Sequence, residues 1–84
     1  MIDTTRKARI KWQCRRGMLE LDLILNQFIK QALDKLNESQ IAAFEQLLTI
    51  SDPELYCWLM GNDKPSNKDL LAVVELIQMY NQPR

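Results

Sequence analysis

Leu21, Leu25, Phe28, Ala32 and Leu36 recur at spacings of four, three, four and four residues. A helix turning once every ~3.6 residues gathers such positions onto one face, so the segment from Met18 to Leu36 is predicted as the longest helix of the chain. Ile41, Phe44, Leu47 and Leu48 continue an apolar stripe to about Ile50, behind an Asn37 and Gln40 pair that has the spacing of a reciprocal helix cap. Leu70, Val73 or Val74, Ile77 and Tyr80 line the inner face of a last helix. No segment alternates as a strand would.

The punctuation supplies the remaining boundaries. Thr4 or Thr5 can cap a first, basic helix from about Arg6 to Arg15, which Gly17 interrupts. Ser51-Asp52-Pro53-Glu54 is a start signal: Asp52 can cap, Pro53 lacks an N–H that the first turn would leave unpaired, and Glu54 suits the positive helix end. That fourth helix runs to about Met60, where Gly61 can take the left-handed conformation that closes it. Ser66 with Asp69 opens the last helix, and Asn81-Gln82-Pro83 stops it. Short connections between amphipathic helices favour antiparallel neighbours, so the expected fold is all-α, a compact five-helix bundle forming a single domain over residues 1–84. A chain of this size buries roughly 60–65 % of its unfolded surface, enough for one core and little more. Trp58, beside Leu55 and Leu59, belongs to that core; Trp12 sits on a helix so polar that core and interface are equally open to it.

Composition narrows the chemistry. The chain has no histidine, which excludes the commonest general base, the serine-type triad and imidazole metal sites. Cys14 and Cys57 are too few for a disulfide scaffold and lack partners for zinc, so both are expected to be reduced thiols packed as small hydrophobes. The two glycines are far apart and make no phosphate loop, and the carboxylates Asp52 and Glu54 are helix-start charges rather than an acid/base pair. No apolar run approaches the ~20 residues of a bilayer span and no secretory leader is legible, so no membrane insertion and a cytoplasmic location are expected. The formal net charge of zero hides an asymmetry: Arg6, Lys7, Arg9, Lys11, Arg15 and Arg16 face only Asp3 before Gly17, and the rest of the chain is acidic. Such a basic end can attract nucleic acid, anionic lipid or an acidic protein, or can simply be a solvated helix face.

The informative constellation is Arg15-Arg16-Gly17-Met18-Leu19-Glu20. Gly17 allows a sharp turn and leaves the backbone open to close approach, Arg16 offers a planar fork of donors, and Glu20 lies at the start of a helix, where a carboxylate is favoured. The polar corner is a candidate contact surface. Glu20 can equally neutralise Arg16 or Arg15 within the domain.

The string RKARIKWQCRRGMLELDLIL resembles the N-terminal region of the SdhE/YgfY flavinylation-factor family, whose hallmark Arg-Gly-x-x-Glu falls here on Arg16, Gly17 and Glu20. The similarity continues through Asp52-Pro53, the run Tyr56-Cys57-Trp58-Leu59-Met60, and Leu76 to Gln78, and so covers nearly the whole chain. The resemblance implies a five-helix assembly factor, not an enzyme, that binds the flavoprotein subunit of succinate dehydrogenase during maturation, with that of fumarate reductase as a further client. It also implies that FAD belongs to the client, where the flavin 8α carbon is joined to a histidine. This chain has no histidine and cannot be the acceptor, and it is expected to hold no cofactor stably and to be a monomer when free. By the same resemblance Arg16, Gly17 and Glu20 are the primary partner-binding residues, with Arg9, Trp12 and Met18 as secondary contacts. Asp52 and Pro53 either form the other side of that surface or merely cap the fourth helix. The competing readings are a regulatory or antitoxin-like interaction module and, third, a nucleic-acid binder. Against the last stand the acidic remainder of the chain and the absence of helix-turn-helix spacing.

Overall fold

The five expected helices form in the expected order, with ends that differ for identifiable reasons. The computed structural model describes residues 4–81, which build α1 (Thr4–Gln13), α2 (Leu19–Ala32), α3 (Glu38–Leu47), α4 (Asp52–Leu59) and α5 (Lys68–Tyr80), with a 3₁₀ turn at Leu33–Lys35 between α2 and α3. No strand occurs among the described residues.

Thr4 and Thr5 are helical rather than capping, and α1 stops at Gln13, short of Arg15. The Cys14 N–H still reaches the Ile10 carbonyl at 3.0 Å, but that of Arg15 turns back to Trp12 at 3.1 Å and that of Arg16 is taken by the Asp22 carboxylate. The expected α2 is also shortened. Asn37 must be extended (φ −80°, ψ 173°) for its side chain to accept from the Gln40 N–H at 2.8 Å while Gln40 Oε1 accepts from the Asn37 N–H at 2.9 Å. The helix therefore tightens and ends before this reciprocal cap.

Two expected caps move. Ser51, not Asp52, precedes α4, and Asp52 is already helical, its carboxylate turned toward Arg16. At α5 the cap is Asn67 rather than Ser66: its Oδ1 accepts from the N–H groups of Asp69 and Leu70 at 2.8 and 3.2 Å. Asn67→Ala should therefore cost about 1 kcal/mol and Ser66→Ala less than about 0.5 kcal/mol in paired thermal melts. The reverse ranking would return the cap to Ser66. Gly61 behaves as expected, with φ 83°, donating to Trp58 at 3.2 Å while Asn62 donates to Cys57 at 2.9 Å, the paired bonds that satisfy a helix C-terminus. Gln82 and Pro83, read as part of the last stop signal, lie outside the described residues; α5 ends at Tyr80, and the Asn81 N–H closes onto Ile77 and Gln78.

α5 packs against α2, α3 and α4, and its Leu70, Val73, Val74 and Ile77 are buried with Leu21, Leu25 and Phe28 of α2 and Ile41, Phe44 and Leu47 of α3. Phe28 stands between Phe44 and Tyr80, with ring centroids 5.3 and 5.6 Å away and tilted or edge-on geometry. Trp58 is in this core, as expected. Leu55, Trp58 and Leu59 take the inward face of α4, which leaves Cys57 on the outward face. The expectation that both cysteines are packed holds only for Cys14.

α1 contributes only Ile10 to the core from within its length, with Cys14 just beyond it. Polar clasps hold it as well. Arg6 donates from its two terminal nitrogens to Glu38 and Glu45 of α3, both at 2.6 Å, and Lys7 meets Asp34 at 3.0 Å. The Arg6 guanidinium in turn holds the Glu45 carboxyl below its ordinary range.

Candidate functional site

The connection from α1 to α2 is the corner where the candidate contact residues meet the rest of the fold. Asp22, in the first turn of α2, accepts from the Arg16 backbone N–H and so fixes the approach to Gly17. Beyond Gly17, Met18 is extended and half-buried against the core, and α2 starts without a side-chain cap.

The Arg16 side chain turns inward, toward the turn between α3 and α4. Its Nη2 donates to the Leu48 carbonyl at 2.7 Å and more weakly to that of Ile50 at 3.4 Å, while Nη1 lies 3.4 Å from Asp52 Oδ1. Only 15 % of the side chain is exposed. Arg16 is thus a clamp that ties the α1–α2 corner to Asp52 and to the α3–α4 turn. Its carboxylate partner is Asp52 and not Glu20; Glu20 is exposed and makes no hydrogen bond or ion pair among the described residues. Of the two openings left for Glu20, internal neutralisation is not realised. The carboxylate is displayed at the positive end of α2, one turn from an exposed Gly17.

Gly17 has a negative φ, and a Cβ built on it would meet nothing within 4 Å. This backbone does not require glycine, in contrast to Gly61. What the missing side chain provides here is an uncovered main chain at the surface. Pro53, which follows Asp52 in the chain, is exposed.

The remaining candidates point elsewhere. Arg9 is exposed on α1, where its charge acts on Glu45 of α3. Trp12 is 70 % exposed and stacks with Arg15, whose guanidinium carbon is 5.6 Å from the ring centroid. The structure joins Arg16 to Asp52, leaves Gly17 and Glu20 exposed on the α2 side of Arg16, and sets Arg9 and Trp12 along α1. Sequence reasoning missed Asp22 and the carbonyls of Leu48 and Ile50. Nothing distinguishes Asp22 from Glu20 as a first-turn acid, and backbone carbonyls carry no sequence signal.

Cys14, fully buried at this corner, has its thiol pushed up to about 12 by burial, with Arg16 opposing the shift and Asp22 adding to it. The unfolded chain releases this proton near pH 9 and the folded chain holds it, so the folded state binds more protons above that pH. Stability from this group is complete below about pH 8.5 and is lost as pH rises toward 12. Cys14→Ala should flatten the fall of melting temperature between about pH 9 and 11. Parallel slopes for wild type and Cys14→Ala would remove the assignment. No group of three or more potential metal-ligating side chains is found among the described residues, and no described helix is long and apolar enough to cross a membrane.

A family model described as the flavinator of succinate dehydrogenase matches residues 8–81. A protein named FAD assembly factor SdhE from Legionella pneumophila (strain Lens) is 52 % identical over 77 residues, which cover 92 % of this chain and 96 % of that one. The protein of the same name from Vibrio cholerae serotype O1 is 44 % identical over 81 residues, covering 96 % and 94 %. The solution structure of a UPF0350 protein superposes with a TM-score of 0.82 at 44 % identity, over 96 % of this chain and 86 % of that one. These relatives are named as assembly factors and not as catalysts.

Proposed function

Because the chain belongs to the family of flavinators of succinate dehydrogenase, we propose that it binds the flavoprotein subunit of that enzyme and promotes covalent attachment of FAD there. The observation that supports this reading most is Gly17, an exposed glycine that the fold does not need, next to the Arg16 that clamps the corner to Asp52, and followed by a Glu20 that is unpaired among the described residues. Uncovered backbone next to a displayed carboxylate suits tight docking on another protein. Glu20 supplies polar complementarity, while Arg16 acts indirectly by fixing the shape of the surface.

The chemistry remains the client's. FAD and its acceptor histidine belong to the flavoprotein, and binding at the corner favours a client conformation in which the two are aligned. This chain is an assembly factor in that scheme, not an enzyme. The flavoprotein of fumarate reductase is a second client under the same reading, presenting the same flavin chemistry. A nucleic-acid role draws less support, since Arg6 and Lys7 already engage carboxylates of the chain.

The test is incubation of the apo-flavoprotein with FAD, with and without this chain, followed by in-gel flavin fluorescence after denaturation. A covalent flavin signal that rises only when the chain is present is expected. An equal signal without it would end the proposal.

A further inference from the structure

The face of α1 away from Arg9 carries a feature that the corner does not use. Lys11 and Trp12 of α1, Arg15 just beyond it, and Asn26, Ile29 and Lys30 of α2 line an open groove of about 720 Å³, to which the Lys7 and Asp34 pair also contributes. That is space for several side chains of a ligand rather than for a single ion. Lys11, Arg15 and Lys30 pair with no carboxylate among the described residues. The groove is therefore a concentration of uncompensated positive charge on a chain of zero net charge.

Its apolar content is equally specific. Trp12 lies in the groove and is 70 % exposed, and Leu19 and Leu23, 66 % and 62 % exposed, continue the α2 face of Asn26 and Lys30 toward the corner. Residues 19, 23, 26 and 30 are spaced by four, three and four, so helical geometry stacks them along one stripe. The cationic groove is thus continued toward the corner by an exposed apolar strip on α2.

We propose that this trough is a docking site for an acidic segment of a partner protein, with carboxylates meeting Lys11, Arg15 and Lys30 and apolar side chains packing on Trp12, Leu23 and Leu19. It rests on the client reading for the identity of the partner, and extends the client surface from the Gly17 corner along α2. A protein segment fits better than the alternatives. Nucleic acid would follow a continuous run of cations, whereas here the stripe continues through the uncharged Leu23 and Leu19. A bilayer is flat over this distance and would not reach the floor formed by Ile29.

Two arms test this. In the first, a short synthetic peptide of glutamate and leucine is titrated into the labelled chain and amide shifts are followed by NMR. Shifts confined to the α1 and α2 groove are expected, with affinity falling about tenfold or more in Lys11→Glu/Lys30→Glu and falling steeply with salt. Lys30→Gln, which removes charge without reversing it, should give a smaller loss in the same direction. In the second arm the same variants are titrated against the flavoprotein subunit of succinate dehydrogenase, beside Gly17→Arg.

Peptide shifts elsewhere, affinity indifferent to Lys11 and Lys30, or tighter binding of phosphatidylserine vesicles or of an oligonucleotide at the groove would overturn the proposal. If the flavoprotein binds and loses affinity only in Gly17→Arg, the groove inference fails and the client reading stands. If the wild-type chain does not bind the flavoprotein at all, the client reading fails, and the peptide arm still decides the groove.

Discussion

Arg16→Ala is expected to lower the melting temperature by roughly 10–20 °C before any client is added. The substitution deletes a charge-assisted bond to the Leu48 carbonyl, a weaker one to Ile50 and the ion pair with Asp52. All three cross from the α1–α2 corner to the α3–α4 turn, so no local structure replaces them. Hydrogen bonds to a charged donor contribute about 1.5–3 kcal/mol each at sites largely removed from water. The Arg16 Nε is enclosed without a partner among the described residues and offsets part of this, which leaves about 2–3 kcal/mol. Arg16→Lys keeps the charge but not the planar fork, so it should recover only part of the loss. Melts of the three proteins, read by helical circular dichroism, test the assignment. An Arg16→Ala protein that melts within about 2 °C of wild type would show that the side chain is not a clamp.

Gly17→Arg should do the opposite, leaving the fold intact and abolishing client binding. The position is exposed, its φ is ordinary for any L-residue, and the space a Cβ would enter is empty. Stability should therefore change by less than about 0.5 kcal/mol, and Gly17→Ala should be mildly stabilising because the unfolded chain loses freedom. An arginine would hold a docking backbone away and place an extra cation at the interface, which should weaken binding by about a hundredfold or more. Covalent flavin yield should fall in parallel at limiting concentrations of the chain. Glu20→Ala belongs with Gly17→Arg and not with Arg16→Ala, since it removes no internal contact. Calorimetry against the apo-flavoprotein, with melting curves as control, separates the two classes of variant. If Gly17→Arg binds the client as wild type does, the corner is not the contact surface.

These two expectations divide a motif that reads as one unit along the chain. In sequence, Arg16, Gly17 and Glu20 look equally available to a partner. In the folded chain Arg16 faces inward and the other two face outward. The distinction depends on where the α3–α4 turn lies, more than thirty residues away, and its acceptors are two backbone carbonyls.

Periodicity was sufficient for α2, α3 and α5, because each apolar face must be buried and its spacing is a local property of the chain, while cap, proline and glycine signals marked α1 and α4. The Asn37 and Gln40 cap and the left-handed Gly61 were legible for the same reason: both are satisfied within one turn of backbone. Helix ends at Gln13 and Ala32, the choice of Asn67 over Ser66, and the outward placement of Cys57 were not. Each depends on competition among donors, acceptors and faces that only tertiary packing brings together. Residue types and their spacing thus determined the helices and marked the Arg16 to Glu20 corner. Which of its side chains hold the fold and which remain open to a partner was decided by long-range contacts.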